Sequence, residues 1–274
     1  MATKAPKKDD APKEAKATTT PKHTKSPKLT KIINSGDGQN KVPFSVVEAY
    51  KSLRVHLVSA LSNIGGKVVA ISSPNAAEGK STTSINIAIV LSQLNKRVVL
   101  VDADARRASV HQKLKLDNKT GCTDILSGNA KYGDVLIKHN DYMDIITSGS
   151  SHNNATELFC SLKFDKLLSE LKDNYDYVIV DTPPINLVSD ALTISQKCDG
   201  ILLLVRASVT TYEAFKKTLS SAEKLGINVL GSVMNGVGSR NDKYYRYNKY
   251  KYRYGYYNKR YNYYNSYYGK PRKE

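Results

Sequence analysis

KVVAISS, RVVLVDA, YMDIITS, YVIVDTP, ILLLVRA and INVLGSVMN recur between Lys67 and Asn235, six short runs rich in Val, Ile and Leu with helix-length amphipathic stretches between them. Short β-branched runs without polar alternation belong to strands buried on both faces, which means a parallel sheet covered by helices on each side. The spacing of apolar residues predicts helices over Phe44–Asn63, from Lys80 to about Asn95, around Arg107 to Leu114, over 164–174, over 187–197 and after Thr211. Ligands of such α/β sheets bind where the strands end at their C-termini. The residues just after each run are therefore the first place to look for chemistry.

The two ends of the chain have a different character. Of the formal net charge of +17, about +6 falls on residues 1–41 and about +9 on 240–274, which leaves the middle close to neutral. The Lys/Pro/Thr-rich start cannot bury enough apolar surface to offset its ordering entropy, so residues 1–41 are expected to form an unfolded basic arm. The expected organisation is that arm, one folded domain over 42–238, and a flexible tail over 239–274. A basic balance ordinarily points to a polyanionic partner, but here it sits on the arms rather than on the fold. Cys122, Cys160 and Cys198 are odd in number and lack metal-ligand spacing, which gives neither a disulfide framework nor a zinc site and fits a reducing cytoplasm. No apolar run approaches the roughly 18 to 20 residues that span a bilayer. The five histidines pair with no serine or cysteine nucleophile, so hydrolase chemistry has no support.

Directly after the first run stands SSPNAAEGKSTT, Ser72 to Thr83. Gly79-Lys80-Ser81 between a strand and a helix is the second half of a phosphate-binding loop, although its usual first glycine is replaced by Pro74. In such a loop backbone N–H groups and the helix N-terminus face the phosphate oxygens, the lysine reaches the β and γ phosphates, and the hydroxyl ligates Mg²⁺. The second run ends in VVLVDADARR, whose Asp102 and Asp104 either turn out of the sheet toward one centre or form a solvated strand end that also caps the next helix. The fourth run ends in Asp181, within YDYVIVDTPP, in the manner of an aspartate near Mg²⁺. Three phosphate-binding or acidic strand ends in one sheet imply Mg-nucleotide chemistry and an α/β fold of P-loop NTPase type.

The C-terminal stretch KYYRYNKYKYRYGYYNKRYNYYNSYYGK holds thirteen of the nineteen tyrosines. They are Tyr244, Tyr245, Tyr247, Tyr250, Tyr252, Tyr254, Tyr256, Tyr257, Tyr261, Tyr263, Tyr264, Tyr267 and Tyr268, interleaved with Lys, Arg and Asn in a pattern no packed core could use.

Together these stretches resemble the bacterial tyrosine kinases, P-loop enzymes that govern capsule and exopolysaccharide synthesis, from Phe44 to the C-terminus. SSPNAAEGKSTTSINIA resembles the family's Walker A, VDADARR its Walker A′ and VIVDTPP its Walker B. EAYKSLR resembles the ExxRxxR helix by which members pack into rings, and the tyrosine stretch resembles their autophosphorylation cluster. The resemblance implies that Ala77, Glu78, Gly79, Lys80, Ser81 and Thr82 hold the phosphates of ATP. It places Ser81, Asp104 and Asp181 at Mg²⁺, and makes Lys80, Asp102 and Asp104 catalytic. Asp102 would take the tyrosine proton, with the two aspartate roles open to exchange. Asn235 matches an adenine-contacting asparagine, and a structural loop residue is the alternative.

Glu48, Lys51 and Arg54 would form the ring contact, with Lys51 standing where the family has arginine. Ala76 and Ala77 replace the Pro-Gly common in relatives. Asn75 stands where the cell-division and plasmid-partition ATPases carry a signature lysine. By resemblance the partners are a membrane-embedded chain-length regulator whose cytoplasmic tail activates the kinase, a cognate tyrosine phosphatase, and protein substrates. The protein itself would be cytoplasmic and recruited to the inner face of the membrane. The rival reading is a P-loop ATPase whose tail binds nucleic acid through stacked tyrosines and phosphate-tracking Lys and Arg. Beside a kinase-like core, nucleic acid is the disfavoured partner.

Overall fold

The computed structural model describes residues 32–33, 42–150 and 154–237. In chain order these form α1 (Phe44–Asn63), β1 (Val68–Ser72), α2 (Lys80–Ser92), β2 (Val98–Asp102), α3 (Val110–Leu114), α4 (Cys122–Ser127), α5 (Tyr132–Val135), β3 (Ile137–Asn140) and β4 (Met143–Ile146). They continue with α6 (Ala155–Cys160), α7 (Leu162–Asn174), β5 (Tyr177–Asp181), α8 (Asp190–Gln196), β6 (Gly200–Arg206), α9 (Tyr212–Lys224) and β7 (Val229–Asn235). All six apolar runs are strands. They make one sheet in the order β3-β4-β2-β5-β1-β6-β7. Every neighbour is parallel except β3, which pairs antiparallel to β4 at the edge.

Alternation along the strands divides the core. Val69 and Ile71 of β1, with Leu100 and Ile145, face Leu57 and Leu61 of α1 and Ile85 of α2. Val68, Val99, Val101 and Val180 point the other way, toward Phe159, Phe164 and Leu168. Each such side chain contributes roughly 1.5–3 kcal/mol by leaving water. Phe159 and Phe164 meet edge to face with ring centroids 5.2 Å apart.

The helices begin and end for local reasons. α2 is buried on nearly every side, as a helix central to a layer must be. α9 starts where Thr211 Oγ1 accepts the Ala214 N–H at 3.2 Å. α3 starts at Val110, later than the predicted Arg107, because the Asp102 and Asp104 carboxylates accept the N–H groups of Arg107, Ser109 and Val110.

Two features of the fold were not read from the sequence. Ile32 and Ile33, inside the stretch read as an unfolded arm, are 5 % and 3 % exposed and join the cluster of α1 and α2. The Ile33 N–H donates to Asn86 Oδ1 of α2 at 2.9 Å. The sequence reading also lacked α4, α5, α6 and the edge strand β3. The thirteen tail tyrosines, Tyr244 to Tyr268, lie outside the described residues.

Candidate active site

β2, β5 and β1 lie side by side, and their C-terminal ends reach the same edge of the sheet. Asp102 is in register with Asp181, and Asp181 with Ile71, one residue before β1 ends. Adjacent strands are about 4.8 Å apart, so the two carboxylates stand close together. Both are buried, at 0 % and 1 % exposure.

The loop leaving β1 turns back on itself through left-handed backbone at Ala77 (φ 60°) and Gly79 (φ 107°). A side chain at Gly79 would be strained at this φ and would displace Asn235, since its Cβ would stand 2.1 Å from Asn235 Nδ2. Lys80 then opens α2 and is itself buried. Burial lowers its pKa, and the negative charges of Asp104, Asp181 and Glu78 oppose that fall. Ser81 lies beside Asp181, and its hydroxyl accepts a hydrogen bond from Ser109 Oγ at 2.7 Å.

The three aspartates differ in what they touch. Asp102 Oδ1 accepts the Asp104 N–H at 3.2 Å, and its Oδ2 accepts those of Ser109 and Val110, each at 3.1 Å. The carboxylate thus holds the start of the next helix while lying buried rather than solvated, in register with Asp181. Burial, then Asp181 and Asp104, raise its pKa well above the ordinary carboxylate range. Asp104 Oδ1 accepts the Arg107 N–H at 2.9 Å. Asp181 Oδ1 accepts from Ser84 Oγ at 2.9 Å, while its Oδ2 is buried with no hydrogen-bond partner among the described residues. Burial, opposed by the Ser81 hydroxyl, Lys80 and Ser84, pushes Asp181 up to about 6.

An unsatisfied carboxylate oxygen beside a loop hydroxyl and a buried lysine is what a hard divalent cation and a polyphosphate would complete. The residues present fit Mg²⁺ and ATP.

Other predicted site residues are placed differently. Asn235 Nδ2 donates to the Glu78 carbonyl at 3.0 Å and its Oδ1 accepts the Gly236 N–H, so the side chain supports the phosphate loop. Asn75 turns inward, its Nδ2 donating to Glu78 Oε1 at 3.1 Å. On α1, Lys51 and Glu48 pair with each other at 2.8 Å, and Arg54 donates to the Val90 carbonyl of α2 at 2.6 Å. Sequence reasoning missed Ser109. It also missed a latch in which Arg106 donates to Asp190 at 2.6 Å, with Thr156 bonded to the same carboxylate. Arg106 stands two residues after Asp104, so the latch holds the A′ turn against α6 and α8.

The AAA domain family matches residues 66–225, which contain all of these strand ends. Tyrosine-protein kinase CpsD of Streptococcus agalactiae is 34% identical over 205 residues, covering 74% of this chain and 89% of CpsD. The chain belongs to the bacterial tyrosine-protein kinases. Tyrosine-protein kinase ptk of Acinetobacter johnsonii is also 34% identical, over 193 residues and 70% of this kinase, which spans 26% of that longer relative. The solved kinase domain of Escherichia coli tyrosine kinase ETK superposes with a TM-score of 0.70 at 30% identity, over 74% of this kinase and 84% of that chain. Among the described residues of the kinase, no helix is long and apolar enough to cross a membrane.

Proposed function

We propose that this kinase transfers the terminal phosphate of Mg-ATP to tyrosines of its own C-terminal cluster, between subunits, in the control of capsule or exopolysaccharide synthesis. The observation that carries the reading is the convergence of buried Lys80, Asp104 and Asp181 on the loop after β1, with Asp181 Oδ2 unpartnered. Mg²⁺, when bound, neutralises charge on the transferring phosphoryl group. Ser81, Asp104 and Asp181 would hold it, and Ala77 through Thr82 would hold the phosphates. Lys80, beside Asp104 and Asp181, would reach the β and γ oxygens. Asp102, whose raised basicity suits proton transfer, takes the proton of the incoming tyrosine hydroxyl in an orientation fixed by its three backbone N–H donors.

Acceptors reach this site from a neighbour. A tail of about 30 extended residues at roughly 3.5 Å each spans on the order of 100 Å. Ring assembly through α1 is supported by that helix's thin cover: Leu57 and Leu61 are its buried residues, while Phe44 and Val55 are 78 % and 62 % exposed. Each phosphate brings about −1.5 to −2 charges, so roughly five would cancel the tail's basic excess and loosen the ring. A membrane-embedded regulator with a cytoplasmic tail would recruit and activate the kinase, and a cognate phosphatase would reset it.

Sizing the protein before and after incubation with Mg-ATP tests the switch. The expected result is a ring that falls to smaller species as tail phosphotyrosine accumulates. Full phosphorylation with an unchanged oligomer would refute it.

A further inference from the structure

We propose that Arg206, at the end of β6, and Thr210, in the connection from β6 to α9, are positioning residues that hold the phosphate loop in its binding shape by acting through Ala77 and Glu78. The inference rests on the reading of that loop as the ATP site. Glu78 is fully buried although it belongs to a loop. Its Oε2 accepts the Asn75 N–H at 2.9 Å, and its Oε1 accepts from Asn75 Nδ2 at 3.1 Å and from Thr210 Oγ1 at 2.6 Å. The Thr210 hydroxyl also accepts the Arg206 N–H at 2.7 Å, so its single proton is committed to the carboxylate. The Arg206 guanidinium donates to the Ala77 carbonyl at 2.9 Å, and Asn235 Nδ2 donates to that of Glu78.

Arg206 and Asn235, at the ends of β6 and β7, and Thr210 thus hold the consecutive loop residues Ala77 and Glu78. That hold answers a specific need. Ala77 sits at φ 60°, a left-handed conformation that glycine adopts freely and alanine resists. A loop that presents converging N–H groups must be held in advance if binding is not to be spent on ordering it. A buried carboxylate is stable only while its hydrogen bonds are made. Removing the Thr210 hydroxyl leaves Glu78 short of a donor and the Arg206 N–H short of an acceptor, and the loop relaxes from its register. β7 ends at Asn235, so the strand that braces the loop is also the strand from which the chain runs on to the tail.

The test uses the full-length protein, Thr210→Val and the conservative Thr210→Ser. Calorimetric titration with Mg-ADP separates affinity from the fraction of folded sites, and amide exchange of residues 75–79 is followed without nucleotide. Thr210→Val should weaken Mg-ADP about tenfold, the scale of one charge-assisted hydrogen bond, at wild-type stoichiometry. Its loop amides should exchange faster, and Thr210→Ser should restore both readouts. Wild-type affinity in Thr210→Val, or a lowered stoichiometry with affinity unchanged, would overturn the inference. Wild-type protein that binds no Mg-ADP would instead overturn the ATP-site reading, and this inference with it.

Discussion

Asp181 has one carboxylate oxygen buried and without a hydrogen-bond partner among the described residues, and its pKa is pushed from an ordinary 3.8 up to about 6. A raised acid pKa favours the folded state below pH 3.8, and that contribution is lost as pH rises through 6. Asp181→Asn should therefore stabilise the metal-free protein above pH 6, by at most about 3 kcal/mol, with the gain closing as pH falls toward 4. Thermal melts in EDTA across that range check the sign. The same variant should lose Mg-ATP binding, since the uncompensated charge is what the cation would satisfy. Asp102 and Asp104 separate by kinetics. Asp102→Asn should lower kcat by roughly 10²–10⁴ with KM for ATP nearly unchanged, and Asp104→Asn should chiefly weaken Mg-ATP. A large rise in KM for Asp102→Asn would reverse their roles. Asp102, Asp104 and Asp181 were legible because strand-end position and residue type coincide, and Lys80 because Gly-Lys-Ser stands between a strand and a helix. Ser109 and Thr210 were not, since a polar residue in a connection carries no periodicity, and Arg206, the last residue of β6, was not because its guanidinium acts through Ala77, far away in sequence.

At the scale of elements, the strands were legible because each Val/Ile/Leu run is buried on both faces and nothing competes with that pattern. β3 lay hidden because Ile137-Lys138-His139-Asn140 has one apolar residue and sits exposed at the sheet edge. α4, α5 and α6 are four to six residues long, less than two helical turns, so no amphipathic period could show. Ile32 and Ile33 were lost in a Lys- and Pro-rich stretch whose composition argued against burial. They are two adjacent apolar residues with a backbone bond to Asn86, and only the α1–α2 surface explains them. Replacing both with Ala should lower stability by about 2–4 kcal/mol in urea unfolding and speed amide exchange along α2. Undiminished stability would mean that these residues do not dock in solution.

For the whole molecule, the parallel sheet sets the phosphate loop and both aspartate-bearing strand ends at one edge, and the tail leaves from β7 beyond Asn235. α1 stands at the outside with Glu48 and Lys51 paired to each other and Val55 open to solvent. Val55→Glu should leave the fold intact, reduce the assembly to monomers by light scattering, and suppress phosphorylation between subunits. An unchanged oligomer would place the ring contact elsewhere. The most direct test of the kinase account is mass-spectrometric mapping of phosphotyrosine after incubating full-length protein with Mg-ATP, beside Lys80→Met and with or without the cytoplasmic tail of a candidate membrane regulator. Phosphate confined to Tyr244 through Tyr268, lost in Lys80→Met and increased by the regulator's tail, is the result expected. Lys80-dependent ATP hydrolysis with no phosphotyrosine under any condition would contradict the account, leaving an ATPase whose tail binds something else.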